Sequence, residues 1–136
     1  MGERRQSREL ALKVLYQMEH GDAPAEDALA SFAHNFAAPA RLWDYTRELV
    51  MGISGNVLDI DQALSAASRR WRVERMDRVD RNILRLACYE MIFAAEPVPP
   101  KVAINEAVEL AKRYGADESP AFINAVLDSL MASRQG

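Results

Sequence analysis

The segment DRVDRNILRLACYEMIFAA, Asp77 to Ala95, constrains this chain more than any other. Val79, Ile83, Leu84, Leu86, Ala87, Met91 and Ile92 recur at helical spacing and leave it apolar around most of its girth. A helix of that kind must lie at the centre of a core, with other elements packed around it. The flanking sequence supplies them. Arg4 to Glu19 carries Leu10, Ala11, Val14, Leu15 and Met18 on one face, and Gly21 and Asp22 stop it. Pro24 opens a second helix with Ala28, Leu29, Phe32 and Phe36 inward. Pro39 begins a third, where a proline costs least. Leu42, Tyr45, Leu49, Ile53, Val57, Ile60 and Leu64 continue it as one period, while Gly52 and Gly55 weaken it or admit another backbone.

SRRWRVERM then reads as a connection with a short turn of helix. EPVPP ends the central helix. Pro99 to Gly115 predicts another, with Ala103, Ile104, Ala107, Val108 and Ala111 as its apolar stripe and Gly115 as a left-handed cap. Ser119 and Pro120 read as N-cap and first-turn proline of a last helix that buries Phe122, Ile123, Val126, Leu127 and Leu130. No stretch alternates at period two for long enough to be a strand. The expected class is all-α, with about six or seven helices in one domain.

A length of 136 residues suits a single substantial core. The lone cysteine, Cys88, excludes an internal disulfide, and the opening MGERRQSREL is charged, unlike a secretory leader. No apolar run is long enough to cross a bilayer. A reducing cytoplasm fits these features. The net charge of −3 argues against indiscriminate binding to nucleic acid. That average conceals an asymmetry: Arg69 to Arg85 holds seven arginines against three acids, whereas Asp22 to Asp61 holds seven acids against two arginines.

Reactive constellations are missing from the sequence. His20 and His34 have no cysteine or histidine at metal-ligand spacing and read as solvated surface groups. Cys88 sits in an apolar helix, where it behaves as a small hydrophobe. The glycines form no phosphate-cradling loop, and Asp59 and Asp61, two apart, diverge on a helix. Binding features are more informative. Tyr114 and Phe122 bracket the turn around ADES, where exposed rings can stack on unpaired bases or, alternatively, belong to the core. Arg4, Arg5 and Arg8 lie on adjoining parts of one surface, able to grip phosphates or to form a solvated basic end beside Glu3 and Glu9. Asn105 and Glu106 either tie down a neighbouring element or orient a binding surface.

RRQSRELALKVLYQME, VDRNILRLACYEM, VPPKVAINEAVELAKRYGADES and FINAVLDSL together resemble the NusB family of transcription antitermination factors. The resemblance runs from Arg4 to Leu130, weakest from about Gly21 to Arg70. It implies two packed helical subdomains, here approximately 1–70 and 71–136. It also implies binding to the single-stranded boxA element of nascent RNA as a heterodimer with NusE, which is also a small-subunit ribosomal protein. That complex would join NusA, NusG and RNA polymerase to suppress termination, notably in ribosomal RNA operons, with no catalytic step, required metal or cofactor. The family's RNA-contacting positions map onto Arg4, Arg5, Arg8 and Tyr16 in the first helix, and onto Tyr114, Glu118 and Phe122 around the late turn. Its NusE-facing acidic positions map onto Glu74 and Asp80, which can instead pair with the nearby arginines. Two alternatives stay open. One is a homodimeric helical interaction module with weak or no RNA binding. The other, a fragment of an RNA methyltransferase, lacks the glycine-rich strand-to-helix turn that a methyl donor needs.

Overall fold

The computed structural model describes residues 2–21 and 23–135. Its helices are α1 (Glu3–Met18), α2 (Ala25–Asn35), α3 (Ala40–Gly55), α4 (Val57–Ala67), α5 (Arg78–Cys88), α6 (Pro100–Tyr114) and α7 (Ser119–Gln135). A 3-10 turn at Val73–Arg75 precedes α5, and a π-helical turn at Tyr89–Phe93 continues it. The described residues include no strand, and among them no helix is long and apolar enough to cross a membrane. Asp22, expected to help stop the first helix, lies outside the described residues.

Helix α5 is the axis of the molecule, packed against α1, α4, α6 and α7. Ile83, Leu84 and Cys88 are wholly buried, as the apolar girth of the segment requires. The Asp77 carboxylate accepts from the Val79 N–H at 3.1 Å and fixes where α5 starts. Ala103, Ala107 and Ala111 are all buried along α6, and their small size lets it lie close against α5 and α7. The π-helical turn frees the Glu90 carbonyl, which accepts from the Val98 N–H at 2.8 Å. That bond ties the proline-rich connection to the end of α5.

Five local expectations give way. The single helix expected after Pro39 divides at Asn56, whose backbone leaves helical geometry while its side-chain amide donates to the Gly52 carbonyl at 2.7 Å. Gly52 admits a side chain rather than a backbone: a Cβ there would sit 2.3 Å from the Tyr89 ring. Phe36 points outward at 41% exposure, because α2 ends one residue before it. Gly115 is extended, with φ −94° and ψ −173°, and is no left-handed cap. Its lack of a side chain serves close packing instead, since a Cβ would lie 2.7 Å from the Ser119 side chain and 2.9 Å from the Ala111 carbonyl.

Ser119 is accordingly the first residue of α7, not the residue before it, and its hydroxyl accepts from the Ala116 N–H at 2.9 Å. Gly115→Ala is expected to cost about 1–3 kcal/mol through overpacking and to break that bond. Thermal unfolding reads the first effect and faster amide exchange at Ala116 the second.

Candidate nucleic-acid interface

Arg5, Glu9 and Lys13 recur every four residues and share one face of α1. They meet α6 in the same order. Arg5 donates to both oxygens of Glu106 at 2.8 and 2.7 Å, Glu9 accepts from Arg113 at 2.9 Å, and the Lys13 ammonium lies 5.8 Å from the centre of the Tyr114 ring. Side chains therefore bridge the two helices, with Arg5–Glu106 as the bidentate link. The Arg5 hydrogen bonds hold the Glu106 carboxyl below its ordinary value, against the opposing effect of burial. Tyr16 continues the same stripe of α1, 38% exposed, its ring 4.9 Å from that of His20. The basic start of α1 and the turn after Tyr114 thus lie along one seam.

Arg8 does not belong to the accessible part of that seam. It is 6% exposed, and its Nε donates to both oxygens of Glu90 at 3.0 and 2.9 Å. Its Nη1 lies 3.6 Å from Glu106. A guanidinium so occupied has no open face for a phosphate, and the expectation that Arg8 grips RNA is replaced by an anchoring role. Glu90 also accepts from the Tyr45 hydroxyl, whose pKa is pushed up first by burial and then by that bond. The exposed Arg4 guanidinium rests 3.8 Å above the centre of the Tyr45 ring. Arg4, Tyr45, Glu90 and Arg8 form one connected chain from surface to core. Ser7, buried between them, donates to the Leu42 carbonyl at 2.8 Å and pins α1 to α3.

Beyond Gly115 the turn exposes Ala116, Asp117 and Glu118 and leaves Tyr114 and Phe122 half-buried. Phe122 meets Trp71 edge-on, with centroids 5.9 Å apart. Trp71, Met76, Asp77, Asp80, Glu118 and Phe122 line one groove. Glu74 is not among them. It lines a separate cleft with Glu19, Leu58, Asp61 and Arg85, and its carboxylate makes only an exposed 3.8 Å contact with Arg72. The structure therefore groups Asp80 with Glu118 and Phe122, apart from Glu74.

Of the seven clustered arginines, Arg81 and Arg85 turn inward. Arg81 pairs with Glu19, and Arg85 pairs with Asp61 at 2.8 Å. Two of that segment's seven positive charges are thereby neutralised within the fold, while Arg69, Arg70, Arg72, Arg75 and Arg78 stay exposed.

Asp80 has a buried oxygen, Oδ1, with no hydrogen-bond partner, and burial raises its carboxyl pKa. A raised acid pKa means that the ionised form costs stability, fully above the folded value and not at all below the unfolded one. Asp80→Asn is therefore expected to raise the melting temperature at pH 7, with the gain fading on acidification. Melting curves at pH 7 and at about pH 3, below the ordinary aspartate value, check it.

Lys13 and Trp71 join this surface although their local sequence does not announce them. Lys13 shares a four-residue stripe with Arg5 and Glu9, but nothing nearby in the chain marks it as a partner of Tyr114, or Trp71 as a partner of Phe122. His20 and His34 are exposed, and burial pushes the Cys88 thiol up to about 12. Among the described residues no group of three or more His, Cys, Asp or Glu is placed to hold a metal ion.

Charged and aromatic side chains aligned along a seam of an all-helical scaffold make up a binding surface. The profile of the NusB family matches residues 5–132. The chain is 45% identical to the transcription antitermination protein NusB of Trichlorobacter lovleyi, over 97% of this chain and 92% of that one. It therefore belongs to the NusB family, a family of antitermination factors and not of enzymes. Among solved structures, T. maritima NusB superposes with a TM-score of 0.84 at 35% identity, covering 95% of this chain and 90% of the other. A structure of the antitermination factors NusB and NusE in complex with dsRNA shares the fold, with a TM-score of 0.81 at 24% identity, covering 96% and 97%.

Proposed function

We propose that this chain is a cytoplasmic transcription antitermination factor. In this reading it binds single-stranded boxA-type RNA jointly with NusE, inside an assembly with NusA, NusG and RNA polymerase that acts notably on ribosomal RNA operons. The α1–α6 seam carries the reading. It aligns the exposed Arg4 and the half-buried Arg5 and Lys13 with partly exposed rings, the combination that holds an unpaired strand by its phosphates and its bases. Arg4 and Arg5 take phosphates, while Tyr16, Tyr114 and Phe122 offer ring faces to bases. Glu118 can accept from a base amino group, as a carboxylate does from cytosine. Arg8 contributes by holding Glu90 and Glu106, not by touching RNA.

Glu74 and Asp80 face NusE, whose basic character they complement. Because the two line different depressions, NusE would span the Val73–Arg75 turn between them. A protein of the same fold forms a complex with NusE and dsRNA, which makes NusE the partner to test first.

The experiment is a mobility-shift titration with boxA-like and scrambled single-stranded oligonucleotides, with and without NusE, on the native chain and on Arg4→Ala/Arg5→Ala. The double variant is expected to bind more weakly. Its salt dependence should flatten by about 0.7 in log–log slope for each phosphate that is no longer neutralised. Unchanged affinity and slope, or equal binding to scrambled RNA, would overturn the assignment.

A further inference from the structure

Three helices converge on Lys13. Its ammonium lies 5.8 Å from the Tyr114 ring centre, at the end of α6, and 5.0 Å from the Phe36 ring centre, just past the end of α2. One cation is thus flanked by two rings from distant parts of the chain. Phe36 is not a core residue. Its inner neighbour Phe32 stacks on it with centroids 5.0 Å apart and in turn meets Trp43 edge-on at 6.3 Å. Phe32 and Trp43 pack against the core, while Phe36 stays 41% exposed at the outer end of the row. The row gives Phe36 a rigid backing, which a stacking platform needs and which an incidental surface ring does not have.

We infer that Phe36, Lys13 and Tyr114 form a station for two successive unpaired nucleotides. One base stacks on Phe36, the next on Tyr114, and the phosphate between them pairs with Lys13. The repeating unit of a single strand is base, phosphate, base, and ring, cation, ring is its complement. A double helix does not fit this site, because its bases are not free to splay onto rings. The lysine gives up only weak, partly exposed contacts with the two rings when it turns to a phosphate. The station extends the proposed track across α1 onto the end of α2. The inference rests on the RNA-binding reading above, since Tyr114 belongs to both surfaces.

The test uses the full chain with NusE and three fluorescein-labelled boxA-like oligonucleotides. The longest has about 12 nucleotides, and each of the other two lacks two nucleotides from one end. Because the end that reaches the station is not fixed in advance, truncations from both ends are assayed. Phe36→Leu keeps an apolar side chain but removes the ring. It is expected to weaken the long oligonucleotide roughly tenfold and to leave one of the two truncated forms unchanged. Phe36→Trp is expected to restore full affinity. Lys13→Gln is expected to lower the salt slope by about 0.7 on the long strand and to leave it unchanged on that same truncated form.

Arg4→Ala/Arg5→Ala is the control for the underlying reading. If it weakens binding while Phe36→Leu does not, the station is wrong and the track stands. If Phe36→Leu weakens all lengths equally, its role is structural and the station is again wrong. If neither variant matters, both proposals fail together.

Discussion

Replacing Arg8 by alanine is expected to destabilise the fold by about 3–5 kcal/mol, the cost of leaving a buried carboxylate without its counter-charge. Arg8 and Glu90 are both almost completely buried, and the two contacts from Arg8 Nε to Glu90 are 3.0 and 2.9 Å. For a chain of this length the loss corresponds to a fall of roughly 10–20 °C in melting temperature. Replacing both partners, Arg8→Met with Glu90→Gln, should recover most of it, because glutamine still accepts from Tyr45 and no lone charge remains. RNA binding separates the anchoring role from a contact role. Measured well below its melting temperature, Arg8→Ala should keep the salt slope of the native chain, whereas Arg4→Ala should lower it. A melting temperature within about 3 °C of native would show that the pair does not matter as described.

Glu19→Ala should be nearly as costly, at about 2–3 kcal/mol. Glu19 follows α1 and receives Arg81, Asn82 at 2.6 Å and Arg85 at 3.5 Å. Without it Arg81 loses the carboxylate with which it pairs, although Asp61 still holds Arg85. Arg81 also donates to the carbonyls of Val73 and Met76, both at 3.1 Å. Loosening it should therefore slacken the Val73–Arg75 turn that carries Glu74, and NusE affinity should fall along with stability.

The same residue gives a pH signature. Burial alone would raise its carboxyl pKa, but hydrogen bonds from Arg81 and Asn82 and the charges of Arg81 and Arg85 outweigh burial, and the value falls. A depressed acid pKa adds stability that is complete above the ordinary glutamate value and lost as pH falls through the folded one. Glu106 acts in the same sense. Melting temperature should therefore decline on acidification below about pH 4, and less steeply in Glu19→Ala. Parallel acid limbs for variant and native chain would remove Glu19 from that account.

The helices were legible because burial imposes its period on the sequence. Asp77 to Ala95 could only be central, and it is. The break at Asn56 was hidden because Ile53, Ile60 and Leu64 keep their phase across it, so the apolar period runs on through a backbone that does not. Arg8 misled for a different reason. An arginine in a first helical turn usually faces water, and its burial depends on Glu90, 82 positions away, which a π-helical turn presents. The same limit applies to Lys13, Phe36 and Trp71. Each acquires meaning from a ring or charge on another helix, and sequence spacing reports only neighbours on the same one.

The seam joins residues far apart along the chain: Arg5 meets Glu106 across 101 positions and Glu9 meets Arg113 across 104. During translation the ribosome delivers the first half of this surface long before the second. A growing polypeptide displays Arg5 and Glu9 early but lacks the partners that align them until Glu106 and Arg113 have been added. On the proposed RNA-binding reading, competence to engage a transcript is thereby tied to synthesis of α6, and products released before it are expected to be silent rather than rival binders.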